Sequence, residues 1–240
     1  MKSIIIGIFF IFISLELLAL QSDVIKVATD TTFPPFILVK EGRLVGFDID
    51  LLNLVASKLK KTIKFMPMEF NYVISSVASG ITDLGAGGLS ITEDREKIVD
   101  FTTPYFDSGF VIVTRKDLGN LDINQLEHKK VGTYISDITR PIVKTLKLDK
   151  NILFGKYDFL FDELISGSID AIFVDYPFAQ YMLSNKYKET LKITSSLYFQ
   201  NQYGFAVRKN YPLKRDINKA IEDILLSPTY KTIYIKWIKD

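Results

Sequence analysis

Ser79-Gly80-Ile81-Thr82-Asp83-Leu84-Gly85-Ala86-Gly87-Gly88-Leu89-Ser90-Ile91-Thr92-Glu93-Asp94-Arg95 decides the fold, because a helix stop, a short strand and a glycine-rich turn follow one another directly. Residues 72–79 predict a helix closed by Gly80. Residues 83–86 predict a strand that delivers Gly87, Gly88 and Ser90 at its carboxyl end. Glycines let the main chain approach a ligand closely, and Ser90 can donate a hydrogen bond. Arg95 carries the planar fork that grips a carboxylate through two parallel bonds. The set suits a free carboxylate; a glycine turn followed by a helix cap, with Arg95 on a solvated face, is the alternative reading.

Upstream, residues 24–28 alternate as a strand, and Thr29-Asp30-Thr31-Thr32-Phe33-Pro34-Pro35-Phe36 cannot be a helix interior, so it reads as a loop at a strand end. Residues 51–59 form an amphipathic helix and residues 63–68 the next strand. This rhythm predicts an α/β lobe with a largely parallel sheet, whose ligands sit beyond the carboxyl ends of the strands. Asp30 to Phe36, Glu69-Phe70 and Gly87 to Ser90 all fall there.

Downstream the pattern repeats. Residues 122–126, 139–146 and 159–166 read as helices, and residues 130–133 and 169–174 as strands. Ser166-Gly167-Ser168-Ile169-Asp170 echoes Ser79-Gly80-Ile81-Thr82-Asp83, and the strands that follow present Ser90 in one case and Asp175 in the other. A donor set and a carboxylate therefore occupy matching places in two similar lobes. Residues 203–208 read as a strand and residues 217–226 and 230–237 as closing helices, too little chain for a third lobe. The expectation is two Rossmann-like lobes, residues 22–112 plus 204–240 and residues 113–203, joined by a two-strand hinge near 110–114 and 203–207.

The 240 residues carry 30 Lys and Arg against 28 Asp and Glu, with no long basic run, so nucleic acid is not an expected partner. Residues 1–21 place Lys2 before a nearly unbroken apolar run, the outline of a secretory signal peptide. Glu16 inside the run and the lack of an Ala-x-Ala site before Gln21 keep an uncleaved anchor open as well. There is no cysteine, hence no disulfide framework and no residue for lipoprotein acylation. A periplasmic, monomeric protein with no cofactor and no metal site is the expectation.

Taken together, Asp30-Thr31-Thr32-Phe33-Pro34-Pro35-Phe36, Gly46-Phe47-Asp48-Ile49-Asp50, Ile91-Thr92-Glu93-Asp94-Arg95, Ile169-Asp170-Ala171 to Asp175, and Gln202-Tyr203-Gly204-Phe205-Ala206 resemble the periplasmic amino-acid-binding proteins of ABC importers. The resemblance implies the type II periplasmic binding protein fold and capture of free arginine, lysine, histidine or glutamine for a membrane permease. It implies that Arg95 holds the ligand α-carboxylate with help from the Gly87-Gly88 backbone and Ser90, and that Asp175 receives the α-ammonium. Side-chain contacts would come from Asp30, Phe33 and Phe70. Asp30 could instead cap a turn, and either phenylalanine could belong to the core.

One departure from the family pattern stands out. Where relatives carry a small Gly/Thr/Ser loop after the second-lobe strand, this chain has Thr133-Tyr134-Ile135-Ser136-Asp137-Ile138. Ser136 is expected to substitute in part, and Asp137, which would repel a carboxylate, is expected to face away. Two other readings of the scaffold are a cyclohexadienyl dehydratase-like enzyme and a sensor module. Glu69, Asp30 and Asp175 would be the acid candidates for the enzyme, but no nucleophile–base pair accompanies them, so no catalytic residue is assigned.

Overall fold

The computed structural model describes residues 23–148 and 150–238; the expected signal or anchor segment lies outside these residues. The alternation read at the amino end produces β1 (Val24–Thr29), which buries Ile25, Val27 and Ala28. Two short strands, β2 (Thr32–Phe33) and β3 (Ile37–Lys40), precede β4 (Arg43–Val45), α1 (Phe47–Lys58), β5 (Thr62–Pro67), α2 (Phe70–Ala78), β6 (Leu84–Ala86), α3 (Glu93–Glu96) and β7 (Asp100–Phe101). The long strand β8 (Phe106–Arg115) leads to a 3-10 turn (Ile123–His128), β9 (Val131–Thr133), α4 (Thr139–Thr145), β10 (Ile152–Phe154), α5 (Tyr157–Ser166), β11 (Ala171–Asp175) and α6 (Tyr176–Met182). The chain closes with β12 (Leu191–Ile193), β13 (Tyr198–Tyr203), β14 (Ala206–Val207), α7 (Lys214–Leu225) and α8 (Pro228–Trp237).

The strands form two main sheets, in the orders β5-β1-β6-β14-β7 and β10-β9-β11-β8-β12, with β13 also paired to β8. In each sheet three strands run parallel, β5, β1 and β6 in one and β10, β9 and β11 in the other. Strands β14 and β8 run antiparallel to their neighbours. Each sheet has its own core. Around the first, α7 buries Ile217, Ile221 and Ile224 beside Phe36, Phe47 and Leu52; around the second, Phe161, Leu164 and Phe178 pack with Ile172 and Val174. At about 1.5–3 kcal/mol per buried large aliphatic or aromatic side chain, either cluster is substantial.

Two expectations are corrected. Residues 29–36 are not all loop: Phe33 pairs with Ile37 across the Pro34-Pro35 turn, and β2, β3 and β4 make a small antiparallel sheet. The prolines sit in the turn, where no ladder donor is required. The first crossing between lobes does not lie at residues 110–114, since Phe110–Thr114 is paired residue by residue with Ala171–Asp175 inside the second sheet. The chain passes between sheets at residues 102–105 and 204–205. There Tyr105 N donates to Tyr203 O at 2.9 Å, Thr102 N to Phe205 O at 3.0 Å, and Phe205 N to the Thr102 hydroxyl at 3.0 Å. The boundary moves because β8 is buried along most of its length and pairs with β13 from Phe106 onward, so it belongs to the second sheet throughout. Among the described residues no helix is long and apolar enough to cross a membrane.

Candidate ligand cleft between the lobes

Carboxyl ends of strands from both sheets face each other across a cavity of about 450 Å³, and Asp30, Phe33, Phe70, Gly87, Gly88, Ser90, Arg95, Ser136 and Asp175 all line it. That volume lies within the range of about 300–1,000 Å³ typical of small-molecule sites. The first-lobe wall is built by the loops after β1, β5 and β6, and the second-lobe wall by those after β9, β10 and β11. All nine expected site residues meet in one place, but several of their polar groups already have protein partners.

The glycine turn is anchored from behind. Gly87 N and Gly88 N donate at 2.8 and 3.0 Å to Oδ2 of Asp48, so the implied assistance from these amides to a ligand carboxylate does not hold in this geometry. Asp48 sits in the first turn of α1 and is completely buried. Burial pushes its carboxyl up to about 6, against the lowering effect of Tyr105, Gly88 and Gly87. Oδ1 of Asp48 and the Tyr105 hydroxyl nevertheless each lack a well-formed hydrogen bond. Two glycines are forced by contact. A Cβ on Gly46, at φ 143°, would lie 2.1 Å from Phe36 O, and one on Gly88, at φ 62°, would lie 2.5 Å from Phe33 Cε1.

Arg95 is buried in α3 with its fork turned into the cleft, which removes the solvated-face reading. Its Nη1 donates to Ser90 O at 3.0 Å. Its Nε and Nη2 donate in parallel to the two carboxylate oxygens of Asp137, each at 2.8 Å. The expectation that Asp137 faces away is therefore wrong. The cause is local: the Ser136 hydroxyl accepts from Ile138 N and Thr139 N and meets the Thr139 hydroxyl, a serine turn just ahead of α4 that holds the adjacent Asp137 on the side of Arg95. Ser136 lines the cavity, but its hydroxyl is engaged in that turn.

Asp175 ends β11 and is buried. The Tyr203 hydroxyl donates to one oxygen at 2.7 Å and the Tyr157 hydroxyl to the other at 3.2 Å, while Ser108 donates to Tyr203 at 3.0 Å. Burial pushes the carboxyl up to about 6; the two tyrosines, and more weakly Arg95, act in the opposite direction. Both phenols are in turn held well above their usual range by burial and by the Asp175 charge. Asp30 proves to be a turn cap as well as a wall residue, accepting from Thr32 N at 2.7 Å and from Phe70 N at 3.0 Å.

Aromatic rings bridge the lobes. Phe33 stacks on Phe178 at 5.5 Å, Phe178 meets Tyr157 at 4.5 Å, Tyr157 meets Tyr134 at 5.6 Å, and Tyr134 meets Phe70 edge-on at 6.1 Å. The Arg95 guanidinium lies 5.5 Å from the Phe70 ring centre. Four carboxylates line the cavity, Asp30, Glu69, Asp158 and Asp175, against two cations, Arg95 and Lys156. Sequence reading missed Tyr134, Tyr157, Phe178 and the anchoring task of Asp48. The Gly46-Phe47-Asp48 motif was a visible signal for Asp48, but its glycine partners lie 39 and 40 residues away.

Residues 25–240 match the family model described as bacterial extracellular solute-binding proteins, family 3. A putative ABC transporter arginine-binding protein of Escherichia coli K12 is 30% identical over 234 residues, covering 93% of this chain and 94% of its own. Two solved structures of ancestral arginine-binding proteins superpose well. The one bound to glutamine does so at TM-score 0.83 and 36% identity, covering 92% of this chain and all of its own. The one bound to arginine does so at 0.81 and 38%, covering 90% and 98%. The two-sheet architecture, the cleft between the sheets and the match over nearly the whole described chain agree, and the chain belongs to the bacterial extracellular solute-binding proteins of family 3.

Proposed function

We propose that the protein captures a polar or basic amino acid, of the arginine, lysine, histidine or glutamine class, between its two lobes and delivers it to the membrane permease of an ABC importer. One observation carries the reading: a cavity between the lobes, walled by aromatics, sets the guanidinium of Arg95 and the buried carboxylate of Asp175 on opposite lobes. A zwitterion needs one site of each sign, and charge-assisted hydrogen bonds are worth about 1.5–3 kcal/mol each. Several of them with an aromatic wall reach the roughly −8 kcal/mol of a micromolar complex.

In this reading Asp175 receives the ammonium and Arg95 the carboxylate, with Asp137 giving way and Ser90 assisting. Phe33 and Phe70 flank the side chain. The excess of carboxylates along the wall favours a cationic side chain, and flat aromatic faces suit a guanidinium. The relatives' names point the same way. The protein works outside the cytoplasmic membrane and performs no covalent chemistry, which the family description and the binding-protein names of its relatives support, and in this reading it acts as a monomer. The test is a thermal-shift screen of the twenty amino acids on protein stripped of ligand by unfolding and refolding. A rise in melting temperature with arginine, lysine, histidine or glutamine is expected through mass action. A flat response to all twenty would overturn the proposal.

A further inference from the structure

The two parallel bonds between Arg95 and Asp137 use the bidentate edge of the guanidinium, the edge a ligand carboxylate would take. Several other donors at that end of the cleft are engaged too: Gly87 and Gly88 on Asp48, and the amides of Ile138 and Thr139 on Ser136. The two partners differ in exposure. The Arg95 side chain is 3% exposed and that of Asp137 53%. The guanidinium is fixed, whereas the aspartate can swing into water.

We infer that Asp137 is a tethered competitor for the ligand's carboxylate and so determines specificity. It lowers the site's affinity for amino acids while leaving its affinity for cations without a carboxylate, amines and guanidines, intact. The inference rests on the cleft being the ligand site as proposed above. An arriving amino acid must displace a carboxylate held at an effective concentration on the order of millimolar, or place its own beside it at like-charge cost. A carboxylate-free cation meets neither obstacle. It finds Arg95 already neutralised and the carboxylates of Asp30, Glu69, Asp158 and Asp175 along the wall. The exposure of Asp137 also means that its replacement leaves no buried group unpartnered except Arg95, which the ligand carboxylate then takes.

The test is calorimetric titration with arginine and with agmatine, its decarboxylated counterpart, on the unaltered chain, on Asp137→Ser and on Asp137→Asn. Circular dichroism verifies that both variants fold. Asp137→Ser is expected to tighten arginine at least tenfold and to leave agmatine unchanged or weaker, because Arg95 loses its counter-charge, with Asp137→Asn moving the same way by less. Uptake of agmatine alone by the unaltered chain, with arginine gained in the variants, is the limiting form of that result. An arginine-to-agmatine affinity ratio that stays the same in all three proteins, or that moves toward agmatine in the variants, would overturn the inference while leaving the cleft as the ligand site. Failure of every protein to bind either compound would also overturn the inference, and a flat thermal-shift response to all twenty amino acids beside it would show that the proposed function fails as well.

Discussion

Replacing Asp48 by asparagine probes the buried charge beneath the glycine turn. The Asp48 carboxyl is raised from the usual 3.8 to about 6, chiefly by burial. Keeping it ionised at pH 7 costs about 3 kcal/mol relative to a carboxyl that titrates normally. Asparagine retains an oxygen for the amides of Gly87 and Gly88, and its NH2 group can donate to the Tyr105 hydroxyl, which lacks a well-formed partner. Neutral acceptors bind amides less strongly than charged ones, so the net gain at pH 7 is about 1–3 kcal/mol. The pH dependence is the sharper test. Between pH 7 and pH 5 the folded state takes up a proton at Asp48 while the unfolded chain remains mostly ionised. Stability therefore rises on acidification, by roughly 1.3 kcal/mol from this group.

Asp175, also raised to about 6, adds a similar increment. Asp100 is held below 3.8 by its hydrogen bond from Lys209 and so stays ionised in both states across this window. Urea denaturation followed by circular dichroism at pH 7 and pH 5 should show the variant more stable at pH 7, with about half the acid-induced gain of the unaltered chain. A variant that is weaker at pH 7 and keeps the full gain would refute the reasoning.

Three further outcomes follow from the site. Arginine or agmatine affinity should fall as the pH drops through about 6, roughly tenfold by pH 5, because the cation needs Asp175 ionised; Asp175→Asn should bind more weakly at pH 7 and lose this dependence, and a flat calorimetric profile in the unaltered chain would count against the assignment. Gly88→Ala puts a Cβ at 2.5 Å from Phe33 with φ 62°, which should lower stability by about 1–3 kcal/mol and the melting temperature with it. Incubation with prephenate or arogenate should produce no new aromatic absorbance, and its appearance would revive the enzyme reading of the scaffold.

Local physics made the elements legible. The alternation in Val24–Thr29, the apolar stripe of α7 and the run of residues before Asp175 specify strand or helix from side-chain spacing alone. Two similar strand–helix series in one chain then imply two lobes with ligand groups at the strand ends. The hinge was harder to place. Apolar character marks β8 as a strand, but not the residue at which it joins its second-sheet partners, and Phe110–Thr114 proved to be paired throughout. The small β2–β3–β4 sheet escaped for a related reason, since two prolines exclude a helix without excluding a hairpin on either side of them.

At the site, residue type marked Arg95 and Asp175 as groups of opposite sign at matching strand ends, because charge belongs to the side chain itself, and the family resemblance added Asp30 and two phenylalanines. What each group faces was decided only by the tertiary structure. Asp48 and the glycine amides, Asp175 and Tyr203, and Arg95 and Asp137 lie between 28 and 42 residues apart in sequence. A hydrogen bond requires placement to within a few tenths of an ångström, which sequence spacing over such distances does not encode. Asp137 shows this most plainly: like-charge reasoning about a bound carboxylate turned it outward, and the turn made by Ser136 holds it on Arg95.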